Sequence, residues 1–133
     1  TLENLQDIFG QIKSLGAEIA IISGRNSKQL PQTRAALTDM ELYPDELIFT
    51  SSFKADKIIP IAGNRRVIYV DDWLIGAAGD VAFDLIERGY RAIGIKVGNN
   101  PEDIPLTGLT SREKARYGSA LAPGANRALF PGL

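Results

Sequence analysis

Three short stretches carry residue types suited to phosphate chemistry. Ser23-Gly24-Arg25 follows the apolar run Ile19-Ala20-Ile21-Ile22. Lys54 heads Lys54-Ala55-Asp56-Lys57-Ile58-Ile59-Pro60, and Asp71-Asp72 closes Val67-Ile68-Tyr69-Val70. Adjacent carboxylates repel each other. A hard cation such as Mg²⁺ relieves that repulsion, and it takes oxygen ligands together with water and a substrate phosphate. A lysine neutralises a phosphate as a point charge. The Ser23 hydroxyl and the N–H groups around Gly24 can hydrogen-bond phosphate oxygens. Such a set suits phosphoryl transfer, where positioning and charge neutralisation do most of the work.

Each piece also has a plainer reading. Ser-Gly-Arg after a strand is commonly a turn, and a lysine entering a helix is usually solvated. Asp80 and Asp84 stand one helical turn apart and read as a solvated helix face. Tyr69 and Trp73 read first as core packing. Asp71-Asp72 carries the strongest signal, because a strand end needs at most one carboxylate as a cap.

The elements that position these residues follow from periodicity. Thr1 predicts a helix N-cap, and Leu5, Ile8, Phe9, Ile12 and Leu15 recur at helical spacing before Gly16. Short apolar runs predict strands at 18–22, 46–50, 67–70 and 90–97. Helices are expected over 30–40, from Lys54 to Pro60, and around Val81, Leu85 and Ile86 up to Gly89. The alternation predicts an α/β fold, a Rossmann-like parallel sheet with helices on both faces. In such sheets ligands bind beyond the carboxyl ends of the strands. Ser23, Lys54 and the acidic pair are therefore expected to meet on one rim. From Thr107 onward the character changes: Ser111 to Tyr117 predicts a short polar helix, and 118–133 reads as a Gly/Ala/Pro-rich tail.

Composition narrows the chemistry. The 133 residues suit one domain, with a hydrophobic fraction of 44% and a net charge of −1. That balance gives no electrostatic reason to capture nucleic acid or an acidic membrane. The chain has no cysteine and no histidine. Disulfides and thiolate metal sites are excluded, and any acid–base work falls to other side chains. A cytoplasmic setting is expected, since the lack of cysteine fits a reducing compartment.

The order of the three stretches resembles the haloacid dehalogenase (HAD) superfamily of phosphatases. The apolar strand ending in Ser23, the lysine at a helix start (Ser52-Phe53-Lys54-Ala55-Asp56) and the strand ending in Asp71-Asp72 match its later motifs. Tyr43-Pro44-Asp45-Glu46-Leu47 and Arg88-Gly89-Tyr90-Arg91-Ala92-Ile93-Gly94 look like its capless branch, which includes the 3′-phosphatase domain of polynucleotide kinase. The resemblance spans roughly residues 5–100. It implies an Mg²⁺-dependent phosphohydrolase acting on phosphomonoesters. Ser23 and Lys54 are the catalytic residues it implies, with Lys57 as second candidate for the lysine. The resemblance also implies that Ser23, Gly24 and Arg25 bind the substrate phosphate and that Asp72, supported by Asp71, binds Mg²⁺. The substrate it implies is a phosphorylated small molecule or a nucleic acid end, and no membrane partner is expected.

The chain departs from the family in one respect. The family's nucleophile and general acid lie in an Asp-x-Asp motif on the first strand, and no Asp-x-Asp occurs in this sequence. Residues 1–106 are expected to form an N-terminally incomplete HAD-like domain lacking that strand, inactive as a fragment, with 107–133 as polar helix and tail. The missing strand is expected to leave two central strands each without a partner. Two rivals share the residues. One is a response-regulator receiver domain, for which the 43 residues after Tyr90 are too few to build three further βα units. The other is a catalytically dead α/β interaction module.

Overall fold

The computed structural model describes residues 1–98, 108–117 and 127–129, the last three by backbone alone. Among them the fold is mixed α/β, with five α-helices and five short strands. The chain divides into two compact units, Thr1–Lys57 and Ile58–Leu133.

In the first unit, α1 (Leu2–Ser14) starts where the Thr1 hydroxyl accepts the Asn4 N–H at 3.2 Å. Glu3 in its first turn and Lys13 in its last complement the helix dipole. The chain then enters β1 (Ala20–Ser23). Asn26 caps a single 3₁₀ turn by accepting the Lys28 N–H at 3.0 Å. That turn leads into α2 (Leu30–Asp39), with Pro31 in the first turn, where its missing N–H costs nothing. β2 (Glu46–Phe49) runs parallel to β1, with Ala20 opposite Glu46 and Ser23 opposite Phe49. Side chains fix the approach to this ladder. Asp45 Oδ2 accepts the Ile19 N–H at 2.8 Å, while Asp45 N–H donates to the Ile19 carbonyl at 2.7 Å. The Lys13 ammonium donates to the Tyr43 carbonyl.

The apolar stripe of α1 forms a helix as its spacing predicts, yet Leu2, Leu5 and Ile8 are exposed. Helical periodicity shows which face is apolar; it does not supply the surface that covers it.

The buried core is concentrated in the second unit. α3 (Lys54–Ala62) carries Ala55, Ile58 and Ala62 as its buried residues. In the second unit β3 (Val67–Asp71) and β4 (Ala92–Lys96) pair in parallel, from Val67 opposite Ala92 to Asp71 opposite Lys96. Between them lies α4 (Gly79–Glu87), which buries Val81, Ala82 and Leu85. Gly94 allows the start of α4 to sit directly on β4. A Cβ there would lie 2.4 Å from the Ala78 carbonyl oxygen and 3.1 Å from the Ala82 Cβ. α5 (Ser111–Tyr117) opens with a capping box: Glu113 N–H donates to the Thr110 hydroxyl at 3.1 Å and Thr110 N–H to the Glu113 carboxylate at 3.0 Å. Sequence alone reads this helix as polar; the structure buries its last residue, Tyr117, completely. β5 (Arg127–Leu129) pairs antiparallel with β4, so the Gly/Ala/Pro-rich run contributes a strand.

The single parallel sheet expected from the sequence is not what the ladders form. There are two small sheets, β1-β2 and β3-β4-β5. Among the described residues β1 therefore pairs only with β2, and β3 only with β4. The faces of β3 also differ. Tyr69 is buried on one, while Ile68 and Val70 on the other are 60% and 52% exposed. A continuous apolar strand predicts burial on both faces; here only one is covered.

Candidate functional site

The acidic pair sits where its sequence position implies. Asp71 is the last residue of β3 and Asp72 follows it. Period-two alternation puts Asp71 on the same face as Tyr69. The Tyr69 hydroxyl donates to Asp71 Oδ2 at 2.9 Å, and the Asp72 N–H donates to Asp71 Oδ1 at 2.8 Å. Both Asp71 oxygens are thus oriented. Asp72 is exposed beyond the strand end, while Asp71 is half-buried. Tyr69 belongs to the core and also holds a carboxylate, a second role that periodicity does not reveal.

Lys96 is the one charged side chain buried among the described residues, at 3% exposure. It ends β4 in register with Asp71. Parallel neighbours in register share a sheet face, so opposite charges lie on adjacent strand ends. The sequence reading did not select Lys96, because charge alone predicts an exposed residue.

In the first unit, Ser23 is the last residue of β1 and is half-buried. Its hydroxyl accepts the Arg25 N–H at 3.2 Å, and its carbonyl accepts the Thr50 N–H at 2.9 Å. The Ser-Gly-Arg segment is therefore a braced turn at a strand end. Gly24 and Arg25 are exposed on it. A Cβ on Gly24 would meet nothing closer than the Thr50 carbonyl oxygen at 3.9 Å, so close packing does not require the glycine.

Lys54 is the first residue of α3 and is half-buried, whereas Lys57 is exposed. A cation at a helix N-terminus adds to the positive end of the helix dipole, an arrangement that favours anions. The turn before it is held by hydroxyls that the sequence reading passed over. Thr50 and Ser52 share a hydrogen bond of 2.8 Å, and Ser52 N–H donates to the Thr50 hydroxyl at 3.0 Å. Ser23 and Lys54 belong to the first unit, and Asp71 and Asp72 to the second.

Asp80 does not lie on a solvated face as its spacing to Asp84 implies. It is half-buried and paired with the Arg116 guanidinium at 3.2 Å. Its partners come from a helix 36 residues away, which no local pattern can show. Glu87 accepts Arg112 at 2.8 Å and Arg116 at 2.5 Å. Hydrogen bonds from Arg112 and then Arg116 hold its carboxyl below the usual carboxylate range. Burial, and then the hydrogen bond to Asp80, push the Tyr117 hydroxyl well above its ordinary value.

The donor set at the β3 end can be tested against a metal. Among the described residues no group of three or more Asp, Glu, His or Cys side chains is arranged to hold an ion. Two carboxylates remain, one oriented and one exposed. That fits Mg²⁺, which commonly takes one or two protein carboxylates and completes its shell with water and phosphate. No helix among the described residues is long and apolar enough to cross a membrane. Comparison with protein-family models, curated proteins and solved structures finds no match.

Proposed function

We propose that this chain forms the phosphate- and Mg²⁺-binding part of a phosphohydrolase of the HAD type, with a Rossmann-like arrangement of its strands. One observation carries the reading. A hydroxyl residue and an acidic pair each occupy the carboxyl end of a parallel strand, where α/β sheets bind ligands. In this reading Asp72, with Asp71 behind it, coordinates Mg²⁺. Ser23, Gly24 and Arg25 hold the phosphate oxygens, and Lys54 neutralises phosphate charge. When bound, Mg²⁺ would supply positive charge at the β3 end that can offset charge developing on a phosphate ligand. The substrate is a phosphomonoester, carried on a small molecule or a nucleic acid end, in a cytoplasmic setting. Without an Asp-x-Asp, the chain alone binds phosphate but does not turn it over.

The test is an NMR titration of the ¹⁵N-labelled chain. Mg²⁺ is expected to shift the Asp72 amide. Inorganic phosphate is expected to shift the Ser23 and Gly24 amides. p-Nitrophenyl phosphate is expected to remain intact. Silence at both sites would overturn the reading.

A second reading has one observation in its favour. The exposed Ile68 and Val70, on a strand with one partner among the described residues, suit an interaction module without catalysis. It predicts no Mg²⁺ response and no effect of Asp72→Asn.

A further inference from the structure

The connection that leaves the acidic pair is held by a residue far along the chain. After Asp72 the backbone passes through Leu74–Ala78, where Ile75, Gly76 and Ala77 depart from helical φ/ψ. Two backbone bonds span this stretch, from Ala78 N–H to the Trp73 carbonyl at 3.0 Å and from Gly79 N–H to the Leu74 carbonyl. Inside the span they close, Gly76 N–H donates to Asp80 Oδ2 at 2.5 Å. The other oxygen of Asp80 accepts the Tyr117 hydroxyl, and also the Arg116 guanidinium at 3.2 Å. One carboxylate therefore joins the connection to α5.

The Tyr117 end of this link is fixed by packing. Its side chain is fully buried. Its ring meets Phe83 edge-on at 5.7 Å, with the planes at 79°. It also fills the space a side chain at position 79 would need: a Cβ on Gly79 would lie 2.5 Å from the tyrosine ring. Arg116 lies 4.7 Å over the Phe83 ring while it bridges Asp80 and Glu87. A helix of seven residues does not hold itself together in water. α5 owes its form to this docking, and a buried hydroxyl needs a partner, which Asp80 supplies.

We infer that Tyr117 is a positioning residue for the acidic strand end. Through Asp80 and Gly76 it sets the conformation of the Trp73–Ala78 connection, and with it the backbone at Asp72. The consequence for metal binding rests on the function proposed above; the link from Tyr117 to Asp72 does not. Arg116 and Glu87 hold α5 against α4, and Tyr117 brings a neutral donor from α5 to Asp80. Deleting that donor removes a hydrogen bond to a charged acceptor without disturbing the ring.

The experiment uses the ¹⁵N-labelled full chain and Tyr117→Phe, which keeps the ring and loses only the hydroxyl. Gly76 amide exchange is expected to quicken about tenfold while Leu85, inside α4, keeps its rate. The Asp72 amide resonance is expected to move. An unchanged Gly76 rate would overturn the inference. So would equal quickening at Gly76 and Leu85, which marks general loosening, or a fixed Asp72 resonance. Asp80→Ala removes the carboxylate that Gly76 and Tyr117 share and must give the same pattern; it decides the matter if Tyr117→Phe does not fold. An Mg²⁺ titration of the native sample separates the two claims. Silence there sinks the metal role, while the Tyr117 link stands or falls on the exchange rates.

Discussion

Replacing Gly94 by alanine tests how the second unit is packed. The added methyl would sit 2.4 Å from the Ala78 carbonyl oxygen, 2.9 Å from the Ala78 carbonyl carbon and 3.1 Å from the Ala82 Cβ. The first two are backbone atoms, which cannot rotate away as a side chain can. β4 and the start of α4 must separate, and the buried faces of Ala78, Ala82 and Leu85 loosen with them. Overpacking of a close-packed interior costs about 1–3 kcal/mol, occasionally more. Reduced freedom of the unfolded chain returns about 0.4–1 kcal/mol when glycine becomes alanine. Because the clash is with backbone, the cost falls at the upper end of that range, and the net expectation is a loss of about 2 kcal/mol, large against a typical stability of about 5–15 kcal/mol. Urea unfolding followed by circular dichroism reads this as a lower midpoint with an unchanged slope. Gly10 provides the control, because a Cβ there meets nothing within 4 Å. Gly94→Ala with native stability would refute the packing of α4 on β4 described here.

The remaining predictions are more local. In the proposed reading Ser23→Ala removes a phosphate hydrogen bond; phosphate binding, read at the Gly24 amide, is expected to weaken about tenfold, and unchanged affinity would remove Ser23 from the site. Glu87 has a lowered folded-state value, so its contribution is present above the ordinary carboxylate pKa of about 4.3 and is lost as pH falls through the lowered value. Native protein should therefore lose more stability than Glu87→Gln between pH 7 and acid, and parallel curves would contradict the Arg112 and Arg116 pairing. Tyr117 has the opposite sign. Its raised value keeps the folded state protonated while the unfolded state ionises, so stability should fall as pH rises past about 10. Tyr117→Phe should abolish that part of the alkaline slope.

Much of the local structure was legible in the sequence, and for identifiable reasons. Apolar runs bounded by glycine or charge marked β1, β3 and β4, and the Asp71-Asp72 pair showed as two charges closing an apolar strand. Thr1 and the spacing from Leu5 to Leu15 marked α1. What was hidden depends on distant partners. The split into two ladders was not among the hidden features, since two central strands were expected each to lack a partner; the antiparallel β5 on β4 was. Asp80 looked solvated because its partners, Arg116 and Tyr117, lie 36 and 37 residues away. Tyr117 is one aromatic in a seven-residue polar helix, too short for periodicity to mark a buried face. β5 spans three residues of a glycine- and alanine-rich run and offers no strand pattern. Lys96 lay unremarked within the strand expected at 90–97, and only the β3-β4 register reveals its place opposite Asp71.

Calorimetric titration of Mg²⁺ into the native chain and into Asp72→Asn tests the divalent-ion site most directly. The account predicts saturable uptake by the native chain, lost in the variant, with both chains melting at the same temperature. No uptake by the native chain, or equal uptake by both, would contradict it.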